Sequence, residues 1–317
     1  MRRILTILLV VLVLVGCNQP KPIEGLREIS FASRITRSII EDAADLQEED
    51  ICLYGAYSLD GRMARVFDAE RLYYNNELPG WDYATPQYWI NGSVYHFCAV
   101  CPYVVPCSFS NEGRVVISDY VGFTDGPDLL YAMAVRDNSV KEDYSAVPLT
   151  FDHACAALEF NLINASNQVL KDVRNVRLVG LQNKGNFVFD TSGLASWLLD
   201  GTTVSPTAVD QPFGGTCKLP DGGLPVNLGV KYPLYDNVTI MVLPQVVYKT
   251  NVTLHLEYIK EGDAEYAIRD IKLGQLGDAA TAEWKSGEKY EYNLTITENT
   301  ITTEVRVVDW IDHFVDL

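Results

Sequence analysis

Histidine and methionine are scarce in this chain, four of each among 317 residues, which leaves little material for a histidine-rich metal centre. Basic residues are also in short supply: 25 Lys and Arg stand against 42 Asp and Glu, a formal charge of −17. A broad nucleic-acid surface needs clustered Lys and Arg, so this balance excludes one. It equally excludes attachment to anionic lipid by charge alone. No His-Glu-x-x-His helix, Gly-x-Ser-x-Gly elbow or glycine-rich phosphate loop occurs, and no two carboxylates stand out as a glycosidase pair. The chain therefore reads as a non-enzyme with no cofactor and no metal. Long 3.6-residue periodicity and heptads are missing, and only two short helices are expected, over residues 38–47 and 194–199. What is present is an ordinary hydrophobic share of 48%, with 18 Tyr and 11 Phe that suit pleated sheets. The length predicts two domains of roughly 130–170 residues each.

The only long apolar run is residues 4–15, behind Met1-Arg2-Arg3 and broken by Thr6. It is too short for a permanent membrane span and fits a signal-peptide core. It ends in Leu14-Val15-Gly16-Cys17, which resembles a bacterial lipobox, so Cys17 is the expected lipidation site. Acyl chains contribute about 0.8 kcal/mol per buried methylene, and several of them hold a protein on a membrane almost irreversibly. The expected organisation is a signal peptide over 1–16, a lipidated tether over 17–27, and sandwich domains over 28–146 and 147–317.

The mature part alternates with period two. Leu158, Phe160 and Leu162 alternate with Glu159 and Asn161; Leu254, Leu256 and Tyr258 with His255 and Glu257; Tyr290, Tyr292, Leu294 and Ile296 with Glu291, Asn293 and Thr295. Ile29, Phe31 and Ile35 share one parity around a small Ser33. This is the half-buried strand pattern, punctuated by Gly, Asn, Asp and Pro, and it predicts an all-β fold of antiparallel sandwiches with about seven short strands per half. Residues 201–230, rich in Gly, Pro and Thr, read as a loop. The opposite parities of Val305 with Val307 and of Val308 with Trp310 point to a bulge.

Six further cysteines, Cys52, Cys98, Cys101, Cys107, Cys155 and Cys217, admit a disulfide, a zinc or a free-thiol reading. Cys98 and Cys101 differ by an odd number, so on a strand they face opposite sides. Asp119, Asp125 and Asp128 are either a calcium loop of non-standard spacing or turn caps. Tyr73, Tyr74, Trp81, Tyr83, Tyr88 and Trp89 are either an exposed sugar platform, which would make the protein a surface glycan-binding lipoprotein, or a sandwich core, which is favoured.

Several segments together resemble one family. Glu49-Asp50-Ile51-Cys52-Leu53-Tyr54, Tyr95-His96-Phe97-Cys98-Ala99-Val100-Cys101-Pro102-Tyr103 and Val147-Pro148-Leu149-Thr150-Phe151-Asp152-His153-Ala154 are similar to strands of the Bacteroidales fimbrillins, the subunits of type V pili. So are Trp284-Lys285-Ser286-Gly287-Glu288-Lys289-Tyr290-Glu291-Tyr292 and the closing run from Val305 to Trp310, while the cysteines at 98 and 101 depart from the family pattern. The resemblance implies two tandem transthyretin-like β-sandwich domains in an outer-membrane lipoprotein of the cell-surface fimbrium. It implies cutting after a basic residue, with Arg37 first, Arg34 second and Arg27 also eligible, and removal of a first strand carrying Ile29, Phe31 and Ile35. A strand of another subunit then fills the groove by β-augmentation. The implied partners are other fimbrial subunits, with a host or bacterial surface ligand for an adhesive tip. Ile311, His313, Val315 and Leu317 form the possible C-terminal donor segment. His153 is expected to pack or hydrogen-bond, with no catalytic proton transfer.

Overall fold

The structure, a computed structural model, describes residues 26–35, 46–77, 79–122, 128–201, 211–212, 219–227, 229–234, 240–276 and 281–308. In chain order its first strands are β1 (Phe31–Ile35), β2 (Ile51–Leu59), β3 (Arg62–Asn75), β4 (Gly80–Asp82), β5 (Val94–Cys101), β6 (Ser108–Ser110), β7 (Arg114–Val121) and β8 (Leu130–Asp137). There follow β9 (Val147–His153), β10 (Ala156–Asn164), β11 (Leu170–Val179), β12 (Lys184–Asp190), β13 (Ala195–Leu199), β14 (Gln211–Pro212) and β15 (Tyr232–Pro233). The last are β16 (Ile240–Val242), β17 (Gln245–Val246), β18 (Thr253–Lys260), β19 (Ala267–Lys272), β20 (Glu283–Trp284), β21 (Lys289–Ile296) and β22 (Ile301–Val308). The fold is all-β, as the alternation predicts.

A seven-stranded sheet runs in the order β1-β9-β8-β5-β2-β3-β4. One face packs on a four-stranded sheet, β13-β12-β7-β6, through Tyr54, Cys98, Val100, Ile117, Phe187 and Phe189. Its other face carries Leu53, Phe67, Phe97, Ala99, Leu149 and Phe151, and the buried residues joining this cluster from outside the sheet are Ile29, Leu46, Tyr83 and Trp89. Among the described residues that second face is thus closed by single side chains rather than by another sheet. A third cluster lies between the β15-β10-β21-β22 sheet, where β16 also pairs β10, and the β14-β11-β18-β19 sheet. Its rows are the predicted ones: Leu158, Phe160, Leu162; Leu254, Leu256, Tyr258; Tyr290, Tyr292, Leu294, Ile296. Two pairs run parallel, β1 with β9 and β10 with β21.

The sheets cross residue 147. β9 pairs with β8 and β1, and β12 pairs with β7, so strands on either side of the expected 146/147 boundary share both sheets of the first sandwich. Residues 195–199, expected to be helical, are strand β13 instead. Gly193, at φ +95°, makes the turn before it, and Trp197 comes opposite Phe187 with ring centres 4.9 Å apart. Pairing across the hairpin overrides a six-residue helical pattern that had no second turn to support it. Within residues 201–230, β14 pairs with β11, so that stretch is not loop throughout. The expected bulge near the C-terminus is absent through Val308: β21 and β22 pair without a register shift from Lys289 opposite Val308 to Ile296 opposite Ile301, and Trp310 lies outside the described residues. Of the expected 38–47 helix, only residues 46 and 47 are described, and they are helical.

Candidate functional site

Residues 27–35 form a single extended segment held by two different neighbours. Upstream it runs antiparallel to 87–89: the Trp89 N–H donates to the Arg27 carbonyl at 2.9 Å, and the Ile29 N–H to the Gln87 carbonyl at 2.8 Å, with Glu28 bridged to Tyr88 between them. Downstream, β1 ends the seven-stranded sheet and lies parallel to β9, with Phe31 opposite Val147, Ser33 opposite Leu149 and Ile35 opposite Phe151. Alternation then sends one row inward. Ile29 is fully buried, and the Phe31 ring meets those of Phe97 at 5.5 Å, Phe67 at 5.6 Å and Tyr83 at 6.1 Å, all edge to face. Full burial of one such side chain is worth about 1.5–3 kcal/mol, before any gain from ring geometry.

Polar bonds fix the segment from above. The buried Tyr83 hydroxyl donates to the Ile29 carbonyl at 2.6 Å, and the Trp81 indole N–H donates to the Ser33 hydroxyl oxygen at 2.7 Å. Burial holds the Tyr83 phenol well above its ordinary range, so it remains a donor. The segment therefore combines a sheet edge, a buried apolar row and a few side-chain clasps, a plug in the first core.

Of the residues singled out in the sequence, the structure brings Ile29 and Phe31 into this core. The backbones of Arg34 and Ile35 pair with Thr150 and Phe151. Cys17, Arg37, Ile311, His313, Val315 and Leu317 lie outside the described residues. Among the aromatics, Tyr83 and Trp89 are core, Trp89 only 4% exposed, and Trp81 spends its N–H on Ser33, so these three are not a flat exposed platform. Tyr144 and Asn91, which flank Arg27, carried no sequence signal, since nothing local links residue 27 to residue 144. Arg27 stacks on the Tyr144 ring, 4.6 Å from its centre.

Cys98 and Cys101 do face opposite sides, the first in the inter-sheet cluster and the second in the cluster around Phe31. Both are free thiols, as are Cys52, Cys107 and Cys155, and burial pushes Cys98, Cys101 and Cys107 each up to about 12. Among the described residues no group of three or more His, Cys, Asp or Glu is placed to hold a metal. Asp119 pairs with Lys184 at 2.7 Å, and Asp128 with the buried His153.

A second polar site lies on the outer face of the β21–β22 pair. The Glu291 carboxylate, 7% exposed, is flanked by Lys231 and Arg306, and the Arg306 Nε donates to it at 2.6 Å. Burial would raise its pKa, but the hydrogen bonds from Lys231 and Arg306 outweigh this and hold it below the ordinary carboxylate value.

The profile of the family described as fimbrillin-like matches residues 36–310. A crystal structure of a fimbrial protein from Bacteroides vulgatus is similar, with a TM-score of 0.59 at 14% identity over 90% of this chain and 99% of that one. A candidate cell adhesion protein from Bacteroides uniformis gives a TM-score of 0.56 at 14% identity over 90% of this chain and 100% of that one. Another from Bacteroides ovatus gives 0.51 at 15% identity over 91% and 99%. No curated protein matches the chain.

Proposed function

The chain belongs to the fimbrillin-like family, and on that premise we propose that it is a structural or adhesive subunit of a bacterial surface fimbria, activated by loss of its first strand and assembled by strand replacement. The observation that carries this reading is the plug: residues 27–35 run into β1 at the end of a sheet, bury Ile29 and Phe31, and meet β9 along a single run of parallel backbone pairing. Loss of the segment leaves the β9 edge groups unpaired and a groove lined by Phe67, Tyr83 and Phe97 open to water. A strand from another subunit restores both at once, satisfying the edge and dropping alternate side chains into the groove.

In this reading the precursor is exported behind residues 1–16, lipidated at Cys17 and carried to the outer-membrane surface. A trypsin-like protease then cuts after Arg37 or Arg34. The partners are other fimbrial subunits, joined through Ile311, His313, Val315 and Leu317 or a neighbouring register of the same tail, and a surface ligand where the subunit sits at a tip. The subunit is divided by its sheets rather than at residue 146: β1 to β9 with the β12–β13 hairpin in one sandwich, the remaining strands in the other. No catalytic step is assigned.

The test is the Arg34→Ala, Arg37→Ala double variant exposed to a trypsin-like protease. It is expected to stay full-length and unpolymerised while the parent chain is shortened and assembles. Normal assembly of the double variant would overturn the processing model.

A further inference from the structure

The plug carries a cation at its upstream end. Arg27 lies over Tyr144, whose hydroxyl donates to Asn91 Oδ1 at 2.6 Å. A surface pocket of about 490 Å³ opens here between Arg27, Trp89, Asn91, Glu142 and Tyr144. Trp89 is buried, yet its indole N–H has no partner among the described residues. An aromatic face with a carboxylate and an amide beside it suits a planar cation, which stacks on the ring while its N–H groups reach the acceptors.

From Arg27, every second residue gives the series Arg27, Ile29, Phe31, Ser33, Ile35. One other stretch repeats that series at the same spacing: Arg306, Val308, Trp310, Asp312, Phe314. Cation, aliphatic, aromatic, small polar and apolar residues follow in the same order. On a strand such residues share a face, so the two segments present like chemistry to a groove.

Resting on the strand-replacement reading above, we infer that the pocket of Tyr144, Asn91 and Glu142 is a register-setting subsite for an arginine of the incoming strand, filled by Arg306 of a second copy of this chain. Val308 and Trp310 of that copy then occupy the places of Ile29 and Phe31. This register is one residue away from the row Ile311, His313, Val315 and Leu317, and a slip of one turns every side chain to the other face. The donor can release these residues. β22 ends its sheet, the Arg306 side chain is 61% exposed, and Glu291 keeps Lys231 when Arg306 departs, so its buried carboxylate retains a cation.

The experiment measures binding of fluorescent peptides spanning residues 304–317 to the full chain carrying Phe31→Asp, which cannot seat its own plug. Parent chain nicked by trypsin serves as a second receptor in case that variant does not fold. The unmodified peptide is expected to bind. Arg306→Ala in the peptide should weaken binding by about 2- to 30-fold, the range for a cation–π contact from exposed to desolvated, and Arg306→Lys should recover part of it. On a receptor also carrying Tyr144→Leu, the arginine and alanine peptides should bind alike. If no peptide binds either receptor, strand replacement by this tail is itself refuted, and the subsite with it. If the peptide binds but Arg306→Ala changes nothing, or Ile311→Ala weakens binding while Trp310→Ala does not, the subsite and its register are refuted and strand replacement stands.

Discussion

Tyr83 donates its hydroxyl to the main-chain carbonyl of Ile29 across 2.6 Å, joining the segment after β4 to the extended segment that leads into β1. The bond is buried, so neither group has water as an alternative partner. Tyr83→Phe keeps the ring contacts with Phe31 and Phe67 and strands the Ile29 carbonyl together with the Gln87 N–H that donates to the same hydroxyl. The expected cost is about 1–3 kcal/mol in urea unfolding, the penalty for an unsatisfied buried group. Hydrogen exchange should also quicken at Ile29 and Trp89. An unchanged midpoint would show that the clasp contributes nothing.

Phe31→Ala removes the aromatic centre of the plug. Loss of a buried phenylalanine costs about 3–5 kcal/mol. The largest gain in exchange should appear at the β9 amides that face β1, Val147, Leu149 and Phe151, because their partner strand loosens first. Uniform loss of protection over the whole chain would argue that the plug does not open as a separate unit.

Arg27 should resist trypsin in the folded chain. Its carbonyl accepts from the Trp89 N–H, and its guanidinium is stacked on Tyr144, whereas cleavage needs the backbone free and the arginine seated in the protease. N-terminal sequencing after brief digestion is expected to find no end at Glu28 in the parent chain. An end at Glu28 in the parent chain would count against a firmly held upstream segment.

Glu291 sets an acid limit on the β10-β21-β22 sheet. Its folded pKa lies below the ordinary 4.5 because the bonds from Lys231 and Arg306 overcome the cost of burial. A carboxylate depressed by folding contributes stability that is complete above its unfolded value. That contribution is lost as pH falls from about 4.5 through the lower folded value, where folding must release the proton that the unfolded chain holds. Urea midpoints taken from pH 7 to pH 3 should therefore drop less steeply below pH 4.5 in Glu291→Gln than in the parent. Parallel curves would remove Glu291 as the cause.

Much of the fold is legible in the sequence where the relevant physics is local. Alternation placed Leu158, Tyr290 and Leu254 in rows that turn out to line one core, and parity put Cys98 and Cys101 on opposite faces. The pattern failed over the expected helix at residues 194–199, where six residues of helical spacing carry less weight than a hairpin partner at Phe187. It also placed a boundary at residue 146, where charge and polarity change along the chain but the sheets continue across.

The sequence by itself determined that this chain is all-β and acidic, which side chains each strand turns inward, and that its strands resemble fimbrillin strands. Those properties depend on neighbours one or two residues apart and survive any arrangement of the strands. Tertiary structure alone decided that residues 27–35 lie between 87–89 and β9, that Arg27 meets Tyr144, and that Glu291 takes one cation from β22 and another from Lys231. Each of these joins residues far apart in the chain, and backbone pairing accepts any strand of suitable pattern. The choice among partners therefore falls to the packing of the whole sheet, the same freedom that would let a second copy's strand take the place of the first.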